Sequence, residues 1–351
     1  MSHSVATLQA ESPAVSITKS TRPSVSYTVT AARSADAMKP EILRLMRDNF
    51  SWSQQADVWH HWAYEQSPYR PNYCWFVETE DQETVGFTGL MARRMKVAER
   101  VCDVGQAANL NVQAEHRGTA AAIKLQRALI SHVEESDLAL AFGITRNAVA
   151  VQRRAGDQDL GTFSRWIKLF RTEHKLRGRI PWTWPRQTVA GLVDARFDAL
   201  WEAAAPRFGI ATERSSAYLN WRYGLDPQLK YRTLAVHNER GELRSDAIYQ
   251  FRDPEESLPF GATVDVMAVD PQSAHVVPAS LSSHLRRLGA TGVQMLCFGS
   301  PLIEEALQRC GYFRRSSDVH LMAHLHPSLQ PREAKLLAPV CWHMTEAEGK
   351  F

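Results

Sequence analysis

Trp62-Ala63-Tyr64-Glu65-Gln66-Ser67-Pro68 comes back 159 residues later as Trp221-Arg222-Tyr223-Gly224-Leu225-Asp226-Pro227, and both read W-x-Y-x-x-x-P. Other marks recur in the same order. Asn109-Leu110-Asn111-Val112 is answered by Val266-Met267-Ala268-Val269 at an offset of 157, Phe142-Gly143 by Phe298-Gly299 at 156, and Ala155-Gly156 by Cys310-Gly311 at 155. Each match alone is weak. Together, with a drift of a few residues, they predict two copies of one fold. What one copy has and the other lacks then bears on function.

Bulk properties agree. At 351 residues the chain has room for about two domains, and 44% apolar content can fill a core in each. Forty-one basic and 38 acidic side chains leave a formal charge of +3 with the basic residues scattered, which speaks against nucleic acid as a partner. The cluster from Lys168 to Arg179 reads as a solvated strand-and-loop face. The five cysteines show no C-x-x-C spacing, so free thiols in a reducing compartment are expected. No apolar run approaches about 18 residues, and the polar stretch 1–29 has no signal-peptide core. A cytoplasmic protein without a membrane span is the expectation.

The element order follows from periodicity. Residues 1–25, rich in Ser, Thr, Ala and Pro, read as a flexible tail. Then come a strand from Tyr27, a helix over Lys39 to Asp48, an aromatic segment over Trp52 to Trp62, and a hairpin turning at Glu78-Thr79-Glu80-Asp81. A strand over Ala107 to Val112 leads into a helix over Thr119 to Glu135, whose Ala122, Leu125, Leu129 and Val133 make an apolar stripe. Strand, helix and strand complete the copy, and Pro181-Trp182-Thr183-Trp184-Pro185 reads as a linker. The fold class is therefore α+β, with a first domain over 26–182, a second over 183–326, and a C-terminal tail over 327–351.

The stretch from Asn109 to Ala122 carries the site. A strand ends, Arg117-Gly118 forms a turn, and an Ala-rich helix begins. The first turn of a helix offers unsatisfied N–H groups and the positive end of the macrodipole. Small residues there let phosphates come close to the backbone, so this segment is a sound anion cradle.

With Phe142-Gly143 and Gly156 following in order, the chain resembles the GNAT superfamily of acyltransferases. The resemblance implies two tandem GNAT-like domains, each a mixed, mostly antiparallel sheet flanked by helices. It also implies acetyl-CoA, or another acyl-CoA, as cosubstrate. That family's Q/R-x-x-G-x-G/A loop falls on Arg117, Gly118, Thr119, Ala120, Ala121 and Ala122, with Ala120 replacing the first glycine. The preceding strand, Leu110, Asn111 and Val112, would pair with the pantetheine arm. A tyrosine acid common in the family is replaced by Gln152, and by Leu307 in the second copy.

The second copy has Asp270-Pro271-Gln272-Ser273-Ala274-His275-Val276-Val277-Pro278 at the matching loop, two prolines and an aspartate where anion binding needs free N–H groups. The cofactor is therefore expected in the first copy. Asp103 is the candidate base and Asn109 a second catalytic residue, with strand alternation placing Asp103, Asn109 and Asn111 on one face. Trp52 and Trp59 would line an acceptor cleft between the domains, while Trp62 and Trp221 pack helix against sheet. His60-His61 diverge on a helix and do not suggest a metal.

The reading is CoA-dependent transfer of an acyl group, most simply acetyl, to an amine of a small molecule, saccharide or peptide. A non-catalytic binding or scaffold protein of the same fold, and a Fem-type aminoacyl transferase, are the rivals.

Overall fold

The structure is a computed structural model that describes residues 25–49, 55–170, 187–251, 259–329 and 334–349. The proposed linker at 181–185 and Trp52 lie outside the described residues.

The N-terminal half runs β1 (Tyr27–Val29), β2 (Arg33–Ser34), α1 (Lys39–Asn49) and α2 (Ala56–His60), which passes into a π-helical turn at His61–Glu65. It continues with β3 (Tyr73–Thr79), β4 (Thr84–Val97), β5 (Arg100–Val112), α3 (Ala121–Glu135), β6 (Leu140–Thr145), α4 (Val149–Ala155) and β7 (Gln158–Leu169). The C-terminal half runs β8 (Gln187–Ala190), α5 (Arg196–Ala204), β9 (Ile210–Thr212) and α6 (Ser216–Leu219), with its own π-helical turn at Asn220–Gly224. There follow β10 (Arg232–His237), β11 (Leu243–Phe251), β12 (Phe260–Ala268), α7 (Pro271–Arg287), β13 (Gly292–Gly299), α8 (Pro301–Arg309), β14 (Phe313–Leu325) and β15 (Trp342–Thr345).

These strands form one continuous sheet rather than two separate ones, in the order β1-β3-β4-β5-β6-β14-β7-β13-β12-β11-β10-β8. The joint is an exchange. Strand β14, late in the chain, pairs antiparallel with β6 from His320↔Thr145 to Leu325↔Leu140. Strand β7, from the N-terminal half, pairs antiparallel with β13 from Gly292↔Leu169 to Cys297↔Ser164. The two exchanged strands then pair with each other at the centre. No sequence period reveals this, because each strand's alternation is satisfied by any partner of suitable register.

Helices cover the sheet by their apolar stripes. Ala121, Leu125, Leu129 and Val133 of α3 are fully buried against β3, β4 and β5; Leu→Ala changes at such sites typically cost about 2–5 kcal/mol. The helix α7 begins at Pro271, which is tolerated at a first-turn position where no intrahelical N–H is needed. The stretch expected to be a tail is core: Trp342, Met344, Thr345 and Ala347 are fully buried, and Trp342 Nε1 donates to Leu336 O at 2.7 Å. Four residues of strand are too few to show a period, so sequence reading had no signal there.

Candidate active site

The parallel strands β5 and β6 pair only at Gly105↔Ala141 and Gln106↔Phe142 and then part. Their divergence opens a cavity of about 520 Å³. A β-bulge shapes its edge. The register of β4 against β5 jumps from Phe87↔Asn111 to Gly89↔Ala108, so Asn109 and Leu110 stand opposite Thr88 alone. Asn109 takes the left-handed conformation at φ 58°, and its Nδ2 donates to the Tyr64 hydroxyl at 3.0 Å. Burial pushes that phenol well above its ordinary pKa.

The bulge changes which residues share a face. Asn111 joins the face of Ala108 and Gln106, is buried, and donates through Nδ2 to Leu45 O at 3.0 Å. Asp103 keeps the opposite face. The single-face expectation for Asp103, Asn109 and Asn111 is thus corrected, since one extra residue reverses the alternation beyond it. Asn109 and Leu110 line the fork, while Val112 and Asn111 sit buried beside it. Asp103 is exposed and lines a different cavity of about 560 Å³, with Arg94, His132 and Asp137. The structure does not bring Asp103 and Asn109 together.

Beyond β5, the loop expected to cradle an anion leads into α3 through a left-handed turn. Gly118 has φ +78°, and a Cβ there would meet nothing within 4 Å, so the left-handed residue faces open space. Thr119 Oγ1 donates to His116 O at 2.6 Å and accepts from Ala121 N at 3.3 Å. Ala120 is the N-cap of α3 with helical angles and no side-chain cap, so its methyl is compatible with the backbone. Ala121 and Ala122 follow in the first turn, where N–H groups lack intrahelical partners. Arg117 is exposed, and its guanidinium is engaged by the chain itself. Its Nε donates to Val112 O at 3.0 Å and its Nη2 to Asn49 Oδ1 at 2.8 Å, tying the loop to β5 and to the end of α1.

The matching places in the C-terminal half are filled. Asp270 caps α7, accepting from Ser273 N at 2.7 Å, while Ser273 Oγ accepts from Asp270 N. Arg244 Nη2 binds the same carboxylate at 2.6 Å. Strands β12 and β13 pair from Phe260↔Gly292 to Thr263↔Met295, and beyond them lies β15, joined to β13 at Cys297↔Thr345, Phe298↔Met344 and Gly299↔His343. His343 Nε2 donates to Val266 O of β12 at 3.0 Å, and burial pushes its imidazole down to about 4, which keeps it neutral. Gly299, at φ +70°, permits the approach: a Cβ there would lie 2.1 Å from Trp342 O. What remains under α7 is a cavity of about 10 Å³, at the lower limit for one water.

The C-terminal stretch that fills the second fork also walls the first. Thr345, Glu346, Glu348 and Gly349 line the 520 Å³ cavity, with Leu296 and Val319 of the same half. Glu348 is held by Arg214, by Thr345 N at 2.8 Å and by Thr345 Oγ1 at 3.3 Å; Arg214 also binds Asp265 at 2.8 Å. This is a buried charge cluster with its oxygens occupied, which suits structure. Glu346 is half-buried on the same wall.

The repeated aromatics meet across the halves. Trp62 and Trp221 stack at 5.4 Å and 18°, and each indole N–H donates to the other's backbone carbonyl at 2.8 Å. Arg93 lies over Trp221 at 4.8 Å and Arg222 over Trp62 at 5.4 Å. They pack together rather than each against its own sheet. Trp59 does not line a cleft; it is buried edge-on to Tyr64 at 5.6 Å. His60 and His61 both bond Glu65, at 3.3 and 2.7 Å.

Two polar lining residues went unnoticed in the sequence, Thr88 and Gln126, and they are joined by Gln152, which stands where the family resemblance places a tyrosine. All are buried, and Thr88 Oγ1, Gln126 Oε1 and Gln152 Oε1 make no hydrogen bond. The available signal was a glutamine inside the apolar stripe of the best helix.

Comparison with known proteins follows this geometry. Residues 31–156 match the family model described as an acetyltransferase (GNAT) domain. The fold is similar to a probable N-acyltransferase of unknown function from Enterococcus faecalis V583, at TM-score 0.59 and 12% identity, covering 86% of this chain and 72% of that one. It is also similar to GCN5-related N-acetyltransferases from Kribbella flavida (0.57, 15%, 86% and 71%) and Anabaena variabilis (0.61, 13%, 86% and 73%). No curated protein matches the sequence. Among the described residues, no helix is long and apolar enough to cross a membrane. Residues 31–156, which hold the open fork and the start of α3, match the acetyltransferase (GNAT) domain model, and the chain shares the α+β fold of the solved GCN5-related N-acetyltransferases.

Proposed function

We propose that the protein is an acyl-CoA-dependent N-acyltransferase of two tandem GNAT-like copies, in which the first copy binds the cosubstrate and the second has become wall and support. One observation carries the reading: the first fork and the α3 N-terminus are open, while their counterparts are occupied by β15 and Asp270. The likeness of residues 31–156 to acetyltransferase domains supports the same chemistry.

In this reading the backbone N–H groups from Gly118 to Ala122 receive the pyrophosphate of acetyl-CoA or another acyl-CoA, and Arg117 holds the loop in shape. The pantetheine arm enters the fork beside Asn109, Leu110 and Asn111. The acceptor, an amine of a small molecule, saccharide or peptide, approaches from the wall built by the C-terminal half. Its nitrogen attacks the thioester carbonyl, the ammonium proton passes to a carboxylate, and the C–S bond breaks to release the thiolate, which is then protonated. Asp103 stands in the neighbouring cavity; Glu346 is the half-buried carboxylate on the fork itself, and the geometry favours it as base. The free state of all five cysteines supports a cytoplasmic setting.

Calorimetric titration with acetyl-CoA tests this reading. Binding by the unaltered chain is expected. Loss of at least tenfold in affinity is expected for Gly118→Pro, since proline cannot adopt φ +78° and removes an N–H. Absence of binding at millimolar acetyl-CoA would favour the scaffold alternative.

A further inference from the structure

The fork holds polar atoms that the folded chain leaves unused. Gln126 is buried on α3, and its Nε2 donates to Asp157 Oδ2 at 3.1 Å. An ionised carboxylate only accepts, so this bond fixes the amide: Nε2 faces Asp157 and Oε1 is left as the unpartnered atom of a residue on the cavity lining. Thr88 stands on β4 opposite the bulge, fully buried, its hydroxyl unpartnered and on the cavity lining. Gln152 of α4 adds a third orphan oxygen. Buried acceptors without partners are uncommon and costly, and three on one lining mark a place where a ligand supplies the missing bonds.

The C-terminal half acts as an internal control. Ala247 stands 159 residues after Thr88, Leu307 stands 155 after Gln152, and both line the 10 Å³ remnant under α7, with Leu281 beside them. Where the cavity is closed, these places are apolar. The orphan oxygens therefore go with the open cavity rather than with the fold.

The required ligand must give an N–H to Gln126 and engage the Thr88 hydroxyl close by. A secondary amide does both, since it carries an N–H and a carbonyl on opposite edges. Resting on the acyl-CoA reading above, we propose that Gln126 and Thr88 are the residues that recognise the amides of the pantetheine arm, Gln126 accepting an N–H and Thr88 donating to a carbonyl. Asp157 is a positioning residue that keeps the Gln126 oxygen turned to the ligand. Selection thus acts on the arm, independently of the pyrophosphate cradle at Gly118 to Ala122.

The test is calorimetric titration of the full chain with CoA and with adenosine 3′,5′-bisphosphate, which lacks the arm. Gln126→Met, close in shape, should weaken CoA about five- to tenfold, the worth of one neutral hydrogen bond, and leave the bisphosphate unchanged. Asp157→Leu should do the same, and the double variant should add no further loss, because both changes remove one interaction. If Gln126→Met binds CoA as tightly as the unaltered chain, or loses both probes equally, the assignment is overturned while the acyl-CoA reading stands. If the unaltered chain binds neither probe, the acyl-CoA reading itself fails.

Discussion

The N-terminus of α3 and that of α7 occupy the same place in their halves, and they have opposite fates. At α3 the N-cap is alanine, the turn before it holds a left-handed glycine facing open space, and Thr119 Oγ1, at 3.3 Å from Ala121 N, is the side chain recorded on the helix's first N–H groups. At α7 an aspartate caps the helix, a serine closes the box, and an arginine neutralises the carboxylate. Next to the first helix, β5 and β6 enclose about 520 Å³; next to the second, β15 leaves about 10 Å³. A helix end satisfied by its own chain has little left to offer an anion. One left unsatisfied is costly unless a ligand completes it. Under the proposed function, the difference separates a binding half from a supporting one.

The largest effect is expected at the chemistry. Glu346→Gln should lower turnover by about 10²–10⁴ with little change in acetyl-CoA affinity, as for loss of a general base, whereas Asp103→Asn should leave turnover nearly unchanged. Steady-state kinetics of both variants decides between them, and a large loss at Asp103 would move the reaction to the other cavity. Next comes the joint between halves. Trp62→Ala should destabilise the protein by about 3–5 kcal/mol, and because the sheet is continuous both halves should unfold in one transition; two separated transitions in calorimetry would show that they are independent.

A smaller effect is expected from Asp157. Burial raises its carboxyl to about 6, against the pull of Gln126 and His324. The folded state thus holds the proton more tightly than the unfolded chain, whose pKa is about 3.9. That contribution is fully present below about pH 4 and is lost as pH rises through about 6, roughly 2–3 kcal/mol in all. Asp157→Asn, which can still accept from Gln126, should flatten the stability profile over that window; an unchanged slope in denaturant titrations would refute the assignment. The smallest concerns the second helix. Asp270→Ala should cost about 0.5–2 kcal/mol of stability, as N-cap losses do, without creating acetyl-CoA binding in that half, because β15 still fills the fork. New binding of a second equivalent would break the comparison.

Much of this was legible in the residues. The repeated W-x-Y-x-x-x-P segments, the strand-turn-helix at Asn109 to Ala122 and the prolines with Asp270 are local patterns, and local patterns report local backbone chemistry: which turn needs glycine, which helix end is capped, which stripe is apolar. They singled out the loops that precede α3 and α7, whose helix starts differ in capping. Tertiary structure alone decided the exchange of β7 and β14, the burial of Trp342 to Glu348, the reversal of faces beyond Asn109, and the separation of Asp103 from the fork. Strand partners and register depend on contacts between residues more than a hundred positions apart, and a single bulge turns every later side chain to the other face. The sequence therefore determined what each segment could offer a ligand. The packing of distant segments decided which offers meet in one cavity, because only there do burial and hydrogen-bond satisfaction become properties of the whole chain.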